Sequence, residues 1–394
     1  MSGISRKKHD LSVAVIQPAY AKYRQPLFDK LDDSYNTTLY FIEETAHYLQ
    51  SATYTRTEHK STAQHGKPLI YHMVLQTRRY FTLLSQLLKG KFSVVITSLS
   101  DSPQTIISLF ASKMRRSKCI LWSEDWFMPG KKSWRFWVTV LPLIILRAHV
   151  VRSVDAVIVE GTPQYKYVRN LNVPAEKVFF SNHCSLDYSV FGSRDLKREL
   201  GIDGSIVILY LGRIIENKGL DVLIRAFSRL EQERSDAALM ICGDGDFRSH
   251  CERLSDELKL KRVLFLGQVH GEELIASCYK SADIFVLPSR IKTYERFWTE
   301  GWGLSINEAM SMAKPVVTTN AVGAAADLVK DGVNGYVVQQ GNCNALYQAL
   351  RRIVEDSSTR DVMGKNSRRL FEEFNDFGKM FEGFKKAIEY VTRQ

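Results

Sequence analysis

The sequence predicts an α/β protein with two doubly wound, Rossmann-like domains that face each other across a cleft. Short apolar runs alternate with stretches of helical periodicity along the whole chain. Strands that are apolar throughout and separated by helices indicate parallel sheets covered on both faces. The runs form two series, split by a polar stretch, and 394 residues are long for a single core.

Each series contains six predicted strands. Those of the first series are residues 11–16, 38–42, 93–97, 118–122, 156–160 and 178–181. Those of the second are residues 205–211, 238–242, 263–266, 284–288, 315–318 and 335–338. Six apolar residues at three- and four-residue spacing then predict one C-terminal helix: Phe371, Phe374, Phe377, Phe381, Phe384 and Ile388. We therefore expect domains at 1–187 and 205–370, a linker at 188–204, and a helix at 371–394 that could cross back to the first domain.

The net charge of +11 comes entirely from the first half of the chain. Residues 1–190 contain 25 Lys and Arg against 14 Asp and Glu, whereas residues 191–394 contain 29 of each. A solvated basic face, an anionic membrane surface or an anionic acceptor would each explain this excess. Nucleic acid is the weakest of the partner interpretations, because no known nucleic-acid-binding motif occurs among the basic residues, and we expect none.

One segment bears on the membrane interpretation. Basic and aromatic residues at 131–137 lead into an apolar stretch at 138–146, which is too short to span a bilayer. The segment is either a helix lying in the membrane interface or a buried helix with a basic cap. The six cysteines form no Cys-x-x-Cys pair, and no signal peptide precedes residue 11. We expect a cytoplasmic protein. The alternative is a peripheral protein attached to the inner face of the membrane.

Three loops of the second half are suited to a phosphate-bearing ligand. Tyr210-Leu-Gly-Arg-Ile-Ile-Glu-Asn-Lys-Gly-Leu220 places Arg213 and Lys218 between a strand end and a helix start. Cys242-Gly-Asp-Gly-Asp246 permits close backbone approach at Gly243. Glu300-Gly-Trp-Gly-Leu-Ser-Ile-Asn-Glu308 combines two glutamates with glycines and a helix start. The two glutamates are placed to bind different parts of one polyhydroxylated ligand.

These motifs resemble, in the same order, those of the retaining glycosyltransferases of family 4, which have the GT-B fold. The resemblance spans residues 205–340 and includes Gly267-Gln-Val-His270, Lys314-Pro-Val-Val317 and the later Gly-Val-Asn-Gly335. It implies that Arg213 and Lys218 bind a donor diphosphate. It further implies that Glu308 holds the nucleotide ribose and Glu300 the sugar hydroxyls near the anomeric centre.

The resemblance further implies that the backbone around Trp302, Gly303 and Leu304 meets phosphate or sugar and that Val269 contacts the base. Gly243 is a further donor-binding candidate. The donor would be a UDP- or GDP-linked sugar, and no metal or other cofactor is expected. The chain departs from the family pattern at residues 290–299, an insertion that either shapes sugar or acceptor choice or is a passive loop.

The candidates in the first half are acceptor-side residues. Tyr20 and Arg24 lie where the family has a glycine-rich loop, and Arg24 either pairs with an acidic acceptor or a diphosphate, or starts a helix. Glu124 and Asp125 follow a strand, and either serves the acidic role near the acceptor hydroxyl or caps a helix. Asp101 is a further candidate.

The resemblance implies transfer of a sugar from a nucleoside diphosphate sugar to an acceptor hydroxyl with retention. We expect a glycan or lipid-linked acceptor, in glycan, polysaccharide or glycolipid assembly at a membrane surface. Two alternatives remain: a nucleotide-sugar epimerase of the same fold, and a non-catalytic, membrane-associated partner subunit.

Overall fold

The computed structural model describes residues 10–42, 69–100, 102–126, 141–291 and 300–393. These residues form two six-stranded sheets in which all paired strands are parallel. The predicted fold class is thereby confirmed. The first sheet has the order β2-β1-β3-β4-β5-β6 and the second the order β12-β11-β10-β7-β8-β9.

The strands coincide closely with the apolar runs of the sequence. The first sheet consists of β1 (Ser12–Gln17), β2 (Asn36–Phe41), β3 (Val94–Ser98), β4 (Lys118–Ser123), β5 (Ala156–Val159) and β6 (Val178–Phe180). The second consists of β7 (Ile206–Leu211), β8 (Ala237–Cys242), β9 (Val263–Gly267), β10 (Ile284–Leu287), β11 (Val316–Thr319) and β12 (Gly335–Val338). Every residue of β3, β5, β8, β10 and β11 is buried, as expected for strands covered on both faces.

Helices cover both faces of each sheet. Those of the first half are α1 (Gln25–Ser34), α2 (Leu69–Lys89), α3 (Pro103–Arg115), α4 (Leu141–Ser153) and α5 (Thr162–Asn170). Those that follow are α6 (Leu220–Glu233), α7 (Arg248–Glu257), α8 (Glu272–Ser281), α9 (Ser305–Ser311), α10 (Ala325–Leu328), α11 (Cys343–Glu355), α12 (Ser357–Phe374) and α13 (Phe377–Thr392). Within the described residues, no helix has the length and apolar character needed to cross a membrane.

The C-terminal region contains two helices where the apolar spacing predicts one. The periodic phenylalanines continue across the break, but the Asp376 carboxylate accepts hydrogen bonds from the backbone N–H groups of Gly378 and Lys379 and so starts α13. α13 then packs against β4, β5, β6 and α1 of the first sheet. Its Phe384 meets Trp122 edge to face, with 4.9 Å between ring centroids.

The strand orders locate the positions where ligands are expected. In each sheet the order reverses once, between β1 and β3 in the first and between β7 and β10 in the second. Ligands of doubly wound sheets bind outside the carboxyl ends of the strands at such a switch point. The loops that follow β1, β3, β7 and β10 contain most of the residues singled out in the sequence.

Candidate active site

The loop after β7 is held against the end of β10. The Tyr210 hydroxyl donates a hydrogen bond to the carbonyl of Arg213 at 2.6 Å, which fixes the start of the loop. Gly219 ends it with φ of 68°, and a Cβ there would lie 2.2 Å from the Pro288 carbonyl oxygen. Only glycine tolerates both the positive φ and this contact. The backbone at the switch point of the second sheet is therefore closely packed, and the Arg213 side chain is exposed there.

Lys218 and Glu300, predicted to bind different parts of one ligand, form an ion pair across the switch point. The Lys218 Nζ donates to Glu300 Oε2, and the Ser289 Oγ lies 3.3 Å from the same oxygen. Both side chains are largely buried, with 13% and 19% of their surfaces exposed. By contrast, the Arg213 guanidinium has no ion-pair or hydrogen-bond partner within the part of the chain that the structure describes. Arg213 is therefore available to bind an anionic ligand, whereas Lys218 is already paired with Glu300.

The segment after Glu300 packs tightly against β10 and β11. Gly303 has φ of 93°, and a Cβ there would lie 2.6 Å from Val322 Cγ1. The ring of Trp302 is buried between His183 and Phe374, at centroid distances of 5.8 and 5.6 Å. The backbone of Trp302, Gly303 and Leu304 thus passes over the sheet edge while the indole anchors it.

Glu308 lies on α9, below this segment. Its Oε2 accepts a hydrogen bond of 2.8 Å from the hydroxyl of Tyr279. Burial raises the pKa of Glu308 to about 7, although the Tyr279 hydroxyl partly offsets that effect. Sequence reasoning missed Tyr279; a tyrosine on the buried face of α8 is indistinguishable there from an ordinary core residue.

The loops after β8 and β9 complete the sheet edge. Gly243 has φ of 145°, and a Cβ there would lie 1.9 Å from the carbonyl oxygen of Gly212. Val269 is half-buried against the core of the second sheet. The Asp244 carboxylate accepts from the Gly245 N–H at 2.7 Å. No group of three or more His, Cys, Asp or Glu side chains suited to a metal occurs in the described ranges.

On the first sheet, the structure brings Arg24 and Glu124 together. Arg24 Nη2 donates to Glu124 Oε1 at 2.5 Å, Nη1 donates to Gln17, and the guanidinium lies 4.6 Å from the Trp122 ring centroid. Arg24 is buried, whereas a quarter of the Glu124 side chain remains exposed. Tyr20 makes different contacts from Arg24: its hydroxyl donates to Gln25 at 3.0 Å, and its ring contacts Phe41.

Asp125 differs from its neighbour Glu124. Its Oδ2 accepts hydrogen bonds from the backbone N–H and the hydroxyl of Ser100, at 3.2 and 3.0 Å. These bonds tie the loop after β4 to the loop after β3, so the structure gives Asp125 a positioning contact. Asp101 lies outside the described residues, as do 131–137 and 292–299.

The two sheets meet through side chains that sequence reasoning missed. Trp126 Nε1 donates to the carbonyl oxygens of Glu300 and Gly301, at 3.0 and 3.1 Å. Gln164 Nε2 donates to the same Gly301 oxygen at 2.6 Å. Residues of the first sheet thereby hold the backbone of the segment that presents Glu300. Partners 174 and 137 positions apart leave no local signal in one sequence.

Buried polar groups also lie beneath this contact. Glu160 directly follows β5, and its Oε1 accepts from the Trp122 indole at 3.1 Å and lies 2.7 Å from His183 Nδ1. The His183 ring stacks on Trp302 on one side and on Tyr23 on the other. A carboxylate at the end of an otherwise apolar strand was the one available signal for Glu160.

Known proteins resemble this chain in sequence over its second half and in fold over nearly its whole length. Residues 193–370 match the family model of glycosyl transferases group 1. An uncharacterized glycosyltransferase of Methanocaldococcus jannaschii is 34% identical over 205 residues, 50% of each chain. The capsular polysaccharide biosynthesis glycosyltransferase CapM of Staphylococcus aureus is 29% identical over 201 residues, 48% of this chain and 49% of its own. The chain spans about half the length of these curated relatives in the alignments.

Solved structures match over nearly the entire chain. Anabaena HepE in complex with UDP-glucose has a TM-score of 0.70 at 15% identity, covering 98% of this chain and 100% of its own. Sucrose-phosphate synthase from Thermosynechococcus elongatus has a TM-score of 0.72 at 18% identity, covering 97% and 99%. At such identities the likeness concerns the fold alone. The chain has the GT-B fold, and its residues 193–370 match the group 1 glycosyl transferases.

Proposed function

We propose that this chain transfers a glycosyl unit from a UDP- or GDP-linked sugar to an acceptor hydroxyl, with retention of anomeric configuration. The observation that carries the proposal is the convergence of Lys218, Glu300 and Gly303 at the switch point of a group 1 glycosyl transferase domain. Anabaena HepE was solved with UDP-glucose, and a relative from Mycolicibacterium smegmatis, 31% identical over 170 residues, is named as GDP-mannose-dependent. Both nucleotides therefore remain in the proposal.

The loop after β7 would stabilise the leaving group. Breaking the bond to the anomeric carbon transfers negative charge to the diphosphate, and fixed cations there lower the transition-state energy. Arg213 is exposed and unpaired within the described residues, so it can bind the diphosphate directly. Lys218 would gain the diphosphate as a second anionic partner, which frees Glu300 to accept hydrogen bonds from sugar hydroxyls. With these two cations the proposed reaction needs no metal ion.

On the acceptor side, Glu124 is the better placed of the two acidic candidates. Its carboxylate is partly exposed and its charge is balanced by Arg24, whereas the Asp125 carboxylate is engaged by Ser100. Glu124 would orient the acceptor hydroxyl. In retention without an enzymatic nucleophile, the departing phosphate would take the hydroxyl proton on the same face, by analogy with the family.

The acceptor proposed is a glycan or a lipid-linked hydroxyl at an anionic membrane surface. The excess of Lys and Arg in residues 1–190 supports a negatively charged surface as partner. Two relatives are named for comparable settings: CapM for capsular polysaccharide biosynthesis, and the Mycolicibacterium smegmatis protein for a phosphatidylinositol monomannoside. We propose a location on the inner face of the membrane.

The test compares Glu308→Ala with Glu257→Gln, a control at an exposed acid of α7. Wild type is screened by thermal shift against UDP- and GDP-linked sugars, because a ligand that binds the folded state raises the melting temperature. We expect Glu308→Ala to bind the selected donor about 100-fold more weakly, since a hydrogen bond to a charged group is lost, and to abolish transfer. The control should behave as wild type.

Several outcomes would contradict the proposal. Normal turnover by folded Glu308→Ala protein would remove the donor assignment. Formation of an epimerised sugar nucleotide without acceptor would point to the epimerase, and failure of wild type to bind any sugar nucleotide would point to a partner subunit. An inverted anomeric configuration in the product, measured by proton NMR, would refute retention alone.

A further inference from the structure

Three adjacent helices of the first domain contain no acidic residue. α2, α3 and α4, of 21, 13 and 13 residues, include neither Asp nor Glu. They carry seven cationic side chains: Arg78, Arg79, Lys89, Lys113, Arg115, Arg147 and Arg152. On the opposite face of the same sheet, α1 carries Asp29, Asp32 and Asp33. Among the described residues, the helix layer formed by α2, α3 and α4 is therefore purely basic, whereas α1 on the opposite face has more acidic than basic residues.

Helix dipoles alone do not explain this distribution. They favour Lys and Arg in the last turn of a helix, where Lys89, Lys113, Arg115 and Arg152 lie. The same effect favours Asp and Glu in the first turn, yet none of the three helices has one there. The absence of acidic residues extends over all three helices, and it favours a negatively charged partner.

The same helices expose large apolar side chains. Ile106, Phe110 and Met114 follow one another at four-residue spacing along α3, with 43%, 53% and 63% of their surfaces exposed. Phe81 on α2 and Ile145 on α4 are 68% and 60% exposed. Residues at i, i+4 and i+8 share one helix face, so α3 presents an apolar stripe to its surroundings.

The three helices that carry these exposed apolar side chains lie on one face of the first sheet. The inner residues of α2 and α3 pack with Ala14, Ile16 and Val95, and those of α4 with Leu121 and Val157. Those strand residues lie on a single face of the first sheet, so α2, α3 and α4 form one layer. We call the outer side of this layer the docking face; it comprises Phe81, Ile106, Phe110, Met114 and Ile145 with the cationic residues named above except Arg147, whose Nε is buried.

We propose that the docking face binds a bilayer containing anionic lipids. Apolar side chains of this size insert at the boundary between headgroups and acyl chains, while neighbouring Lys and Arg meet anionic headgroups. The absence of acids removes the repulsion that would oppose such contact. The inference deepens the membrane part of the proposed function, on which it rests, by naming the surface. The site at the carboxyl ends of the strands lies at the sheet edge and is left open by docking through this layer.

The test is flotation of the full chain with vesicles of phosphatidylcholine, with and without phosphatidylglycerol, at low and high salt. One variant, Phe110→Ser with Met114→Ser, removes apolar contact, and another, Lys113→Gln with Arg115→Gln, removes charge. The matched controls on α12 are Val362→Ser, at a residue 53% exposed, and Lys365→Gln, at an exposed lysine.

We expect wild type to partition onto the phosphatidylglycerol vesicles and to dissociate as salt is raised. Each removed charge should weaken partitioning about fivefold. The apolar variant should weaken it at least about tenfold, and both α12 controls should float as wild type. Equal binding to both vesicle types, unaffected variants, or equally impaired controls would overturn the proposal. A dimer in sedimentation velocity without vesicles that Phe110→Ser dissociates would assign the face to a second copy instead.

Donor binding is measured on the same preparations by thermal shift with the nucleotide sugar. Lost flotation with intact donor binding affects the docking face alone. Intact flotation in a chain that binds no sugar nucleotide refutes the proposed function and leaves the docking face standing.

Discussion

The indole N–H of Trp126 joins the first sheet to the backbone that presents Glu300, and the Trp126→Phe variant would test what this contact does. The substitution keeps an aromatic ring but removes the donor to the carbonyl oxygens of Glu300 and Gly301. Because Glu300 is the residue proposed to accept hydrogen bonds from the sugar hydroxyls, a shift of this backbone should alter the sugar end of the donor site more than the nucleotide end. We expect weaker binding of the nucleotide sugar and a lower kcat.

The magnitude follows from what the two carbonyls retain. After the change, the Glu300 oxygen still accepts from the Gly323 N–H at 3.0 Å, and the Gly301 oxygen still accepts from Gln164 at 2.6 Å. Neither group is orphaned, so the loss should be that of one ordinary hydrogen bond, about 1 kcal/mol. This corresponds to a roughly fivefold loss in kcat/KM for the donor.

A second substitution sharpens the prediction. In Trp126→Phe with Gln164→Leu, the Gly301 oxygen loses both side-chain donors. The double variant should then cost more than the sum of the single variants, by about 1 kcal/mol or more, because a buried carbonyl loses its remaining donor. Calorimetry gives the binding constants of the nucleotide sugar and of the free nucleotide, and steady-state kinetics gives kcat.

Trp122→Phe is the matched control. It removes an indole that donates to Glu160 in the first domain and that, among the residues the structure describes, makes no hydrogen bond to the Glu300 segment. We expect the control to lower the free energy of unfolding without changing the ratio of nucleotide-sugar to nucleotide affinity. Additive effects in the double variant, or equal weakening of both ligands, would refute a positioning role for Trp126.

Three further predictions concern the second sheet. The pKa of Glu308 is raised to about 7, so binding of a ribose hydroxyl to its ionised form should strengthen as pH rises through 7, and Glu308→Gln should flatten the profile of nucleotide affinity. Because that pKa is higher in the folded chain, the stabilisation that it provides is complete below about pH 4.5 and is lost by about pH 7; urea unfolding checks this in the same variant. Gly303→Ala should cost about 1–3 kcal/mol more in unfolding free energy than Gly332→Ala, because a Cβ meets Val322 at the first position and open space at the second. Transfer should persist in a chelator; activity that falls with EDTA and returns with a divalent cation would contradict the metal-free mechanism.

The fold was predictable because its strands coincide with apolar runs of the sequence. β12 falls at its predicted bounds of 335–338, and β2 begins two residues before its predicted start. The break between α12 and α13 was missed because the phenylalanine spacing continues across it. Asp376 followed by Gly378 was a readable helix-start signal, but it was outweighed by the periodicity.

The site was predictable only where a loop carries its own chemistry. Arg213, Lys218 and Glu308 stand in loops or helix starts whose glycines already imply close backbone approach. The pairing of Lys218 with Glu300, and of Arg24 with Glu124, joins residues 82 and 100 positions apart. Each pair lies within one domain and depends on the order of the strands in its sheet, for which one sequence contains no direct signal.

The return of α13 to the first sheet imposes an order on biosynthesis. Met380, Phe384, Ala387, Ile388 and Val391 fill one side of a core whose strands are translated long before. At about 5–20 residues per second, roughly 10–40 s separate the emergence of β6 from that of α13. During that interval α1 alone covers this apolar sheet face of the nascent first domain, while the second domain can already fold. The first domain of this chain should therefore finish folding last, and its partly covered sheet is the stage at which chaperones would be most needed.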